Sequence, residues 1–173
     1  MMKKEIENNK GFTIVETLVA ITILMIAIAG PLTVAFRGLT AAVYAHDQVT
    51  ASYLAQDAME YIKNVRDNNW KRSPPDNWLY GLSSCSSTSS CSINTLNLSS
   101  TDIASCSDCY LYLRDDGYTP IATNAKQTQF TRKFYITSTS NPDEVTATVI
   151  VEWKNGTVSN AVTLSSQLFN IRK

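Results

Sequence analysis

The sequence predicts an α+β fold. One long N-terminal helix, half transmembrane and half amphipathic, packs on a C-terminal antiparallel β-sheet of three to four strands. Three observations predict it. No charge lies between Thr17 and Arg37, and the run is apolar through Phe36. Ala51, Leu54, Ala55, Ala58, Ile62 and Val65 then recur at helical spacing as an apolar stripe. After residue 110 the apolar period falls to two. The chain therefore divides into a leader (1–11), a membrane-crossing helix (12–36), an amphipathic helix (37–70), a Cys/Ser-rich loop region (71–109) and a sheet (110–173).

A bilayer-crossing helix needs about 20 apolar residues, and the first helix has them. Glu16 stands near its start, where a carboxylate deep in lipid costs roughly 2.5–3.5 kcal/mol. Before it, Lys3, Lys4 and Lys10 outnumber Glu5 and Glu7. A plain signal anchor would hold Glu16 at the headgroup level. A secretory signal peptide fits poorly, because the apolar core is long and no small-x-small site follows it closely.

Gly11-Phe12-Thr13-Ile14-Val15-Glu16 resembles the prepilin signature of type IV pilins and pseudopilins. The resemblance implies cleavage between Gly11 and Phe12 by a prepilin peptidase on the cytoplasmic face. It implies N-methylation of Phe12, and an assembly role for Glu16 opposite the N-terminal amine of a neighbouring subunit. Such a pairing is physically sensible, since an ammonium on Phe12 and a carboxylate on Glu16 are both costly in lipid alone. The implied partners are other pilin subunits through the N-terminal helix, the prepilin peptidase, a pilus assembly platform and the cytoplasmic membrane. The chain would span that membrane once with its head outside, then enter a surface filament.

Gly30-Pro31 falls inside the helix and predicts a kink, because proline removes one intrahelical bond and crowds the preceding turn. The periodicity resumes after Arg37, so the helix continues to about residue 69 rather than ending at Gly30. Asp47, Gln48, Gln56, Asp57, Glu60, Lys63 and Arg66 are expected mostly on its polar faces, with Glu60 and Asp67 in reach of Lys63. Asn68, Asn69 and the pair Pro74-Pro75 end it. Residues 66–70, Arg-Asp-Asn-Asn-Trp, resemble the helix end in minor pilins of the type IV pilus modification group. Trp70 and Trp78 read as ordinary core aromatics.

Residues 83–91 are almost wholly small and polar and cannot hold themselves by burial. Cys85, Cys91, Cys106 and Cys109 are disulfide candidates, given an even count and an exported location, with three pairings open. Cys106 and Cys109 have half the spacing of a zinc site. The five-residue gap between Cys85 and Cys91 is wider than such sites use, and export favours oxidation.

Tyr110–Leu113 reads as a short strand stopped by Asp115-Asp116-Gly117. Phe130, Arg132, Phe134 and Ile136 alternate with Thr131, Lys133 and Tyr135. Val145, Ala147, Val149, Val151 and Trp153 form a second apolar row, and Val158, Val162, Leu164 and Leu168 a third after the Asn155-Gly156 turn. Such a face needs a cover, which the stripe from Ala51 to Val65 can supply.

No phosphate loop, HExxH or GxSxG occurs, so no enzyme, cofactor or metal is predicted. His46 is the one histidine and has no visible nucleophile. Asp115, Asp116, Asp143 and Glu144 match no calcium-loop spacing and read as solvated turns. The chain balances fifteen basic against fifteen acidic side chains, so no strong nucleic-acid binding is expected. Arg132-Lys133 is the local basic patch left to consider. The expected function is that of a minor pilin that primes, modifies or caps a type IV pilus. The alternatives are a minor pseudopilin of a type II secretion system and a membrane-anchored extracytoplasmic binding domain that never polymerises.

Overall fold

The computed structural model of the chain describes residues 11–71, 77–96 and 102–170. The leader before Gly11 and the Pro74-Pro75 turn fall outside the described residues. Helix α1 (Ile14–Lys71) is followed by seven strands among the described residues. They are β1 (Cys91–Ile93), β2 (Ile103–Ser105), β3 (Tyr110–Arg114), β4 (Gly117–Thr119), β5 (Lys126–Ser138), β6 (Glu144–Asn155) and β7 (Val158–Phe169). The chain divides into two units, one ending at Val43 and the other beginning at Tyr44.

The first unit is helix, with every described residue exposed. Its helical assignment passes through Gly30 and Pro31, so the helix does not end there. Thr17, Thr22, Thr33 and Thr40 each return a hydroxyl hydrogen to a backbone carbonyl three or four residues back. Those hydroxyls present no open donor to an apolar surround. The helix is long and apolar enough to cross a membrane.

The second unit is the head. β5 lies at the centre of an antiparallel sheet, with β6 on one edge and β7 beyond it. β3 and β1 share its other edge at different heights, and β4 and β2 extend them. The three long strands and β3 are those legible in the periodicity. The sheet is nonetheless larger than three to four strands, because β1, β2 and β4 are added. Each has three residues, too few to show a period of two. β1 and β2 arise inside the stretch expected to be loop, where β1 meets β5 at Cys91↔Phe134.

Ala51, Leu54, Ala55, Ala58, Met59 and Ile62 of α1 are buried in one core with Phe130, Phe134, Val145, Ala147, Val149, Val151, Trp153 and Leu168. Alanine at 51, 55 and 58 lets the helix backbone approach the sheet closely. Two polar residues depart from expectation. Asp47 is buried, because it stands one helical turn before Ala51 on the same stripe. With the Asn155 amide turned over, the orientation that its hydrogen-bonding neighbours favour, its nitrogen at the β6–β7 turn donates to Asp47 Oδ2 at 2.9 Å. Tyr44 lies 6.3 Å from Trp153, ring to ring. Both contacts lie within the second unit, which begins at Tyr44. Asp67 pairs with Arg66 instead of Lys63, and the Arg66 guanidinium also lies over the Trp70 ring.

Both disulfides are local, Cys85–Cys91 and Cys106–Cys109. Cys85 and Cys91 are inside the core, whereas Cys106 is only half-buried. Dithiol reduction of the folded protein should therefore open Cys106–Cys109 first. Alkylation followed by peptide mass analysis should find label at Cys106 and Cys109 well before Cys85 and Cys91.

Candidate processing and assembly site

The site predicted from sequence lies at the start of α1. Gly11 and Phe12 precede the helix and are exposed, Phe12 to 80%. An ideal Cβ placed on Gly11 meets nothing within 4 Å, so the fold itself does not require glycine there. Thr13 caps the helix: its Oγ1 accepts a 3.2 Å bond from the Glu16 N–H, and its carbonyl accepts one from Thr17. Glu16 is the third residue of the helix, where a carboxylate also meets the positive end of the helix dipole. Thr13-x-x-Glu16 has the spacing of a capping box, a signal present in the sequence beside the cleavage motif. Only the half donated by the Glu16 backbone is made. The Glu16 carboxylate is exposed and has no partner among the described residues. Chemically, this end of the chain offers an accessible peptide bond between Gly11 and Phe12 and an uncommitted carboxylate one turn beyond it.

Around and beyond this carboxylate the helix surface is mostly hydrocarbon. Ile14, Leu18, Leu24, Met25, Ile26, Val34 and Phe36 are each more than half exposed. A stripe of this size is not stable against water and requires lipid or other apolar helices around it. Gly30 and Pro31 lie within it, distant in sequence from Gly11 and Glu16.

The head contains a polar centre on one of the rows that alternate as apolar in the sequence. Arg132 of β5 is 1% exposed. Its Nη1 donates to the Leu54 carbonyl at 3.2 Å and to Asp57 Oδ2 at 3.0 Å. Its Nη2 donates to the Ile93 carbonyl at 2.9 Å and to Thr95 Oγ1 at 3.4 Å. One guanidinium therefore joins α1, β1 and the turn after β1 to the sheet centre. Burial pushes the guanidinium below its ordinary value, and the Asp57 carboxylate offsets part of that shift. The expectation of a basic surface patch at Arg132-Lys133 is corrected here. Arg132 points into the core, and Lys133, on the opposite side of the strand, is paired with Glu152 at 3.1 Å.

At the helix end, the buried Asn69 amide donates to the carbonyls of Trp78 at 3.1 Å and Tyr80 at 2.9 Å. Trp78 is part of the core. His46 is exposed, with its Nδ1 3.6 Å from Asp47 Oδ1. Among the described residues, no group of three or more His, Cys, Asp or Glu side chains is arranged to hold a metal ion.

The architecture is pilin-like α+β: a long apolar N-terminal helix whose later half packs on an antiparallel sheet. In comparison with known families, the model of the prokaryotic N-terminal methylation motif matches residues 7–30. That match supports a type IV pilin-like protein made as a pilin- or pseudopilin-type precursor. Comparison with curated proteins and with solved structures returned no match.

Proposed function

We propose that this chain is a minor pilin of a type IV pilus. The leader, residues 1–11, is removed between Gly11 and Phe12 by a prepilin peptidase, and the new N-terminus on Phe12 is methylated. The mature helix, from residue 12 to 36, holds the chain in the cytoplasmic membrane with the head outside. It then enters the filament, where the subunit primes, modifies or caps the polymer. Glu16 meets the Phe12 ammonium of a neighbouring subunit, and each charge relieves the cost of the other in an apolar surround. Gly30 and Pro31 loosen the helix where it must bend into the packed filament. Cys85, Cys91, Cys106 and Cys109 hold the polar loops of an exported head.

The observation that carries this reading is the methylation motif at the start of an exposed apolar helix. A generic anchor explains the helix but not the methylation motif. Intact mass of the protein from a host with an active prepilin peptidase tests the proposal. Loss of residues 1–11 with one methyl group on Phe12 is expected. A chain that retains Met1 there overturns it.

A further inference from the structure

β7 is the long outer edge of the sheet. Its twelve residues pair with β6 in an unbroken register and with no other described strand. The other terminal strands, β2 and β4, have three residues each. A free edge carries a row of unpaired N–H and C=O groups. Soluble proteins usually blunt it with lysine, proline, a bulge or a short strand. None of these devices is present in Val158–Phe169, which contains no charged residue, proline or glycine.

The side chains of β7 form two rows. Val162 and Leu164 pack against the core but remain half-exposed, and Leu168 is buried. Ala161, Thr163 and Ser165 of the other row are exposed. The apolar face of the sheet is thus incompletely closed at this edge. An occupant has to be an extended strand to satisfy the backbone. It must also be uncharged, with an apolar row on the core side and small polar residues on the other. β7 itself meets that description.

We propose that β7 of one copy pairs antiparallel with β7 of a second copy, about a two-fold axis through Thr163. An axis perpendicular to the sheet keeps the core-side rows of both strands on the same side. In this register Val162 faces Leu164 of the second copy, so these half-exposed apolar residues cover one another, while Val158 stands opposite Leu168, which is already buried in its own head. No charges on the paired strands are opposed. The contact is isologous and closes on itself, unlike the head-to-tail contacts that extend a filament. It is independent of leader cleavage and of Glu16, so its failure leaves the pilin reading intact.

The test uses the full chain in detergent micelles. Residues directly opposite in an antiparallel pair have Cβ atoms about 4.5–5.5 Å apart, within reach of a disulfide. The four native cysteines are already bonded to one another. Under mild oxidation, Thr163→Cys should give a covalent dimer in at least about tenfold higher yield than Ser159→Cys, which lies on the same exposed row but off the axis. Thr163→Lys and Thr163→Glu should each be monomeric by sedimentation, and mixing the two should restore the dimer. Helix association in the micelle would not reproduce that register or charge dependence. Equal yields from the two cysteine variants, or a mixture no more dimeric than its components, would overturn the proposal.

Discussion

Gly11→Val should leave the protein at full precursor length in a host that processes the wild type. Loss of residues 1–11 is large enough to resolve by gel or by intact mass. The effect should be nearly all-or-none, because the fold makes no demand on this position. A Cβ there meets no atom within 4 Å, and Gly11 lies outside α1. Any loss of cleavage therefore reports recognition of the junction, not a damaged structure. Normal cleavage of Gly11→Val would place the processing site elsewhere.

Glu16 supplies the complementary result. Glu16→Val should be cleaved like the wild type yet enter filaments at least tenfold less, since tenfold corresponds to about 1.4 kcal/mol and an unpaired ammonium in an apolar surround costs more. The cap at Thr13 offers a competing explanation, in which Glu16 merely favours the helix N-terminus. Glu16→Gln separates the two. It retains a similar shape and leaves the backbone bond to Thr13, so loss of the dipole interaction alone costs only about 0.3–1 kcal/mol. If Glu16→Gln assembles normally, the carboxylate is not an assembly partner. Thr13→Ala provides the opposite control, weakening the helix start by about 1 kcal/mol without touching the charge.

Arg132→Ala should give the largest loss of stability in the head, about 3 kcal/mol or more by denaturant unfolding. The substitution empties the centre of the core and strands the Ile93 carbonyl. It also cuts the tie between α1 and β5. Arg132→Lys keeps the charge but cannot fork to both Leu54 and Ile93, so it should recover only part of the loss. Asp57→Ala should cost less than Arg132→Ala. The Asp57 side chain is 52% exposed, and water can take its place beside the guanidinium. A smaller loss for Arg132→Ala than for Asp57→Ala would show that the carbonyl contacts contribute little.

Elements with long periods were legible, and short ones were not. β5, β6 and β7 each run twelve or more residues, so their alternation stands out from chance. β1, β2 and β4 have three residues each and are defined by the strands they pair with: β1 with β5 and β2, and β4 with β3. Asp47 is an exception among polar residues that fall mostly on the other faces: its spacing from Ala51 puts it on the stripe, and it is buried. Thr13 carried a readable capping signal that the cleavage motif overshadowed. Arg132 occupied an inward position in the alternation, but alternation does not reveal which carbonyls a buried guanidinium will find.

By itself, the sequence determined the apolar helix, its amphipathic continuation, the period-two strands and the Gly11-Phe12…Glu16 junction. Each is a local pattern, written in spacing along one segment. Only the tertiary structure decided the disulfide pairing, the burial of Asp47, the four acceptors of Arg132 and the edge of β7 that no other described strand pairs with. These depend on which distant segments meet. Leu54, Ile93 and Arg132 come together because α1 and β1 dock against β5, and no periodicity within any one of them encodes the other two.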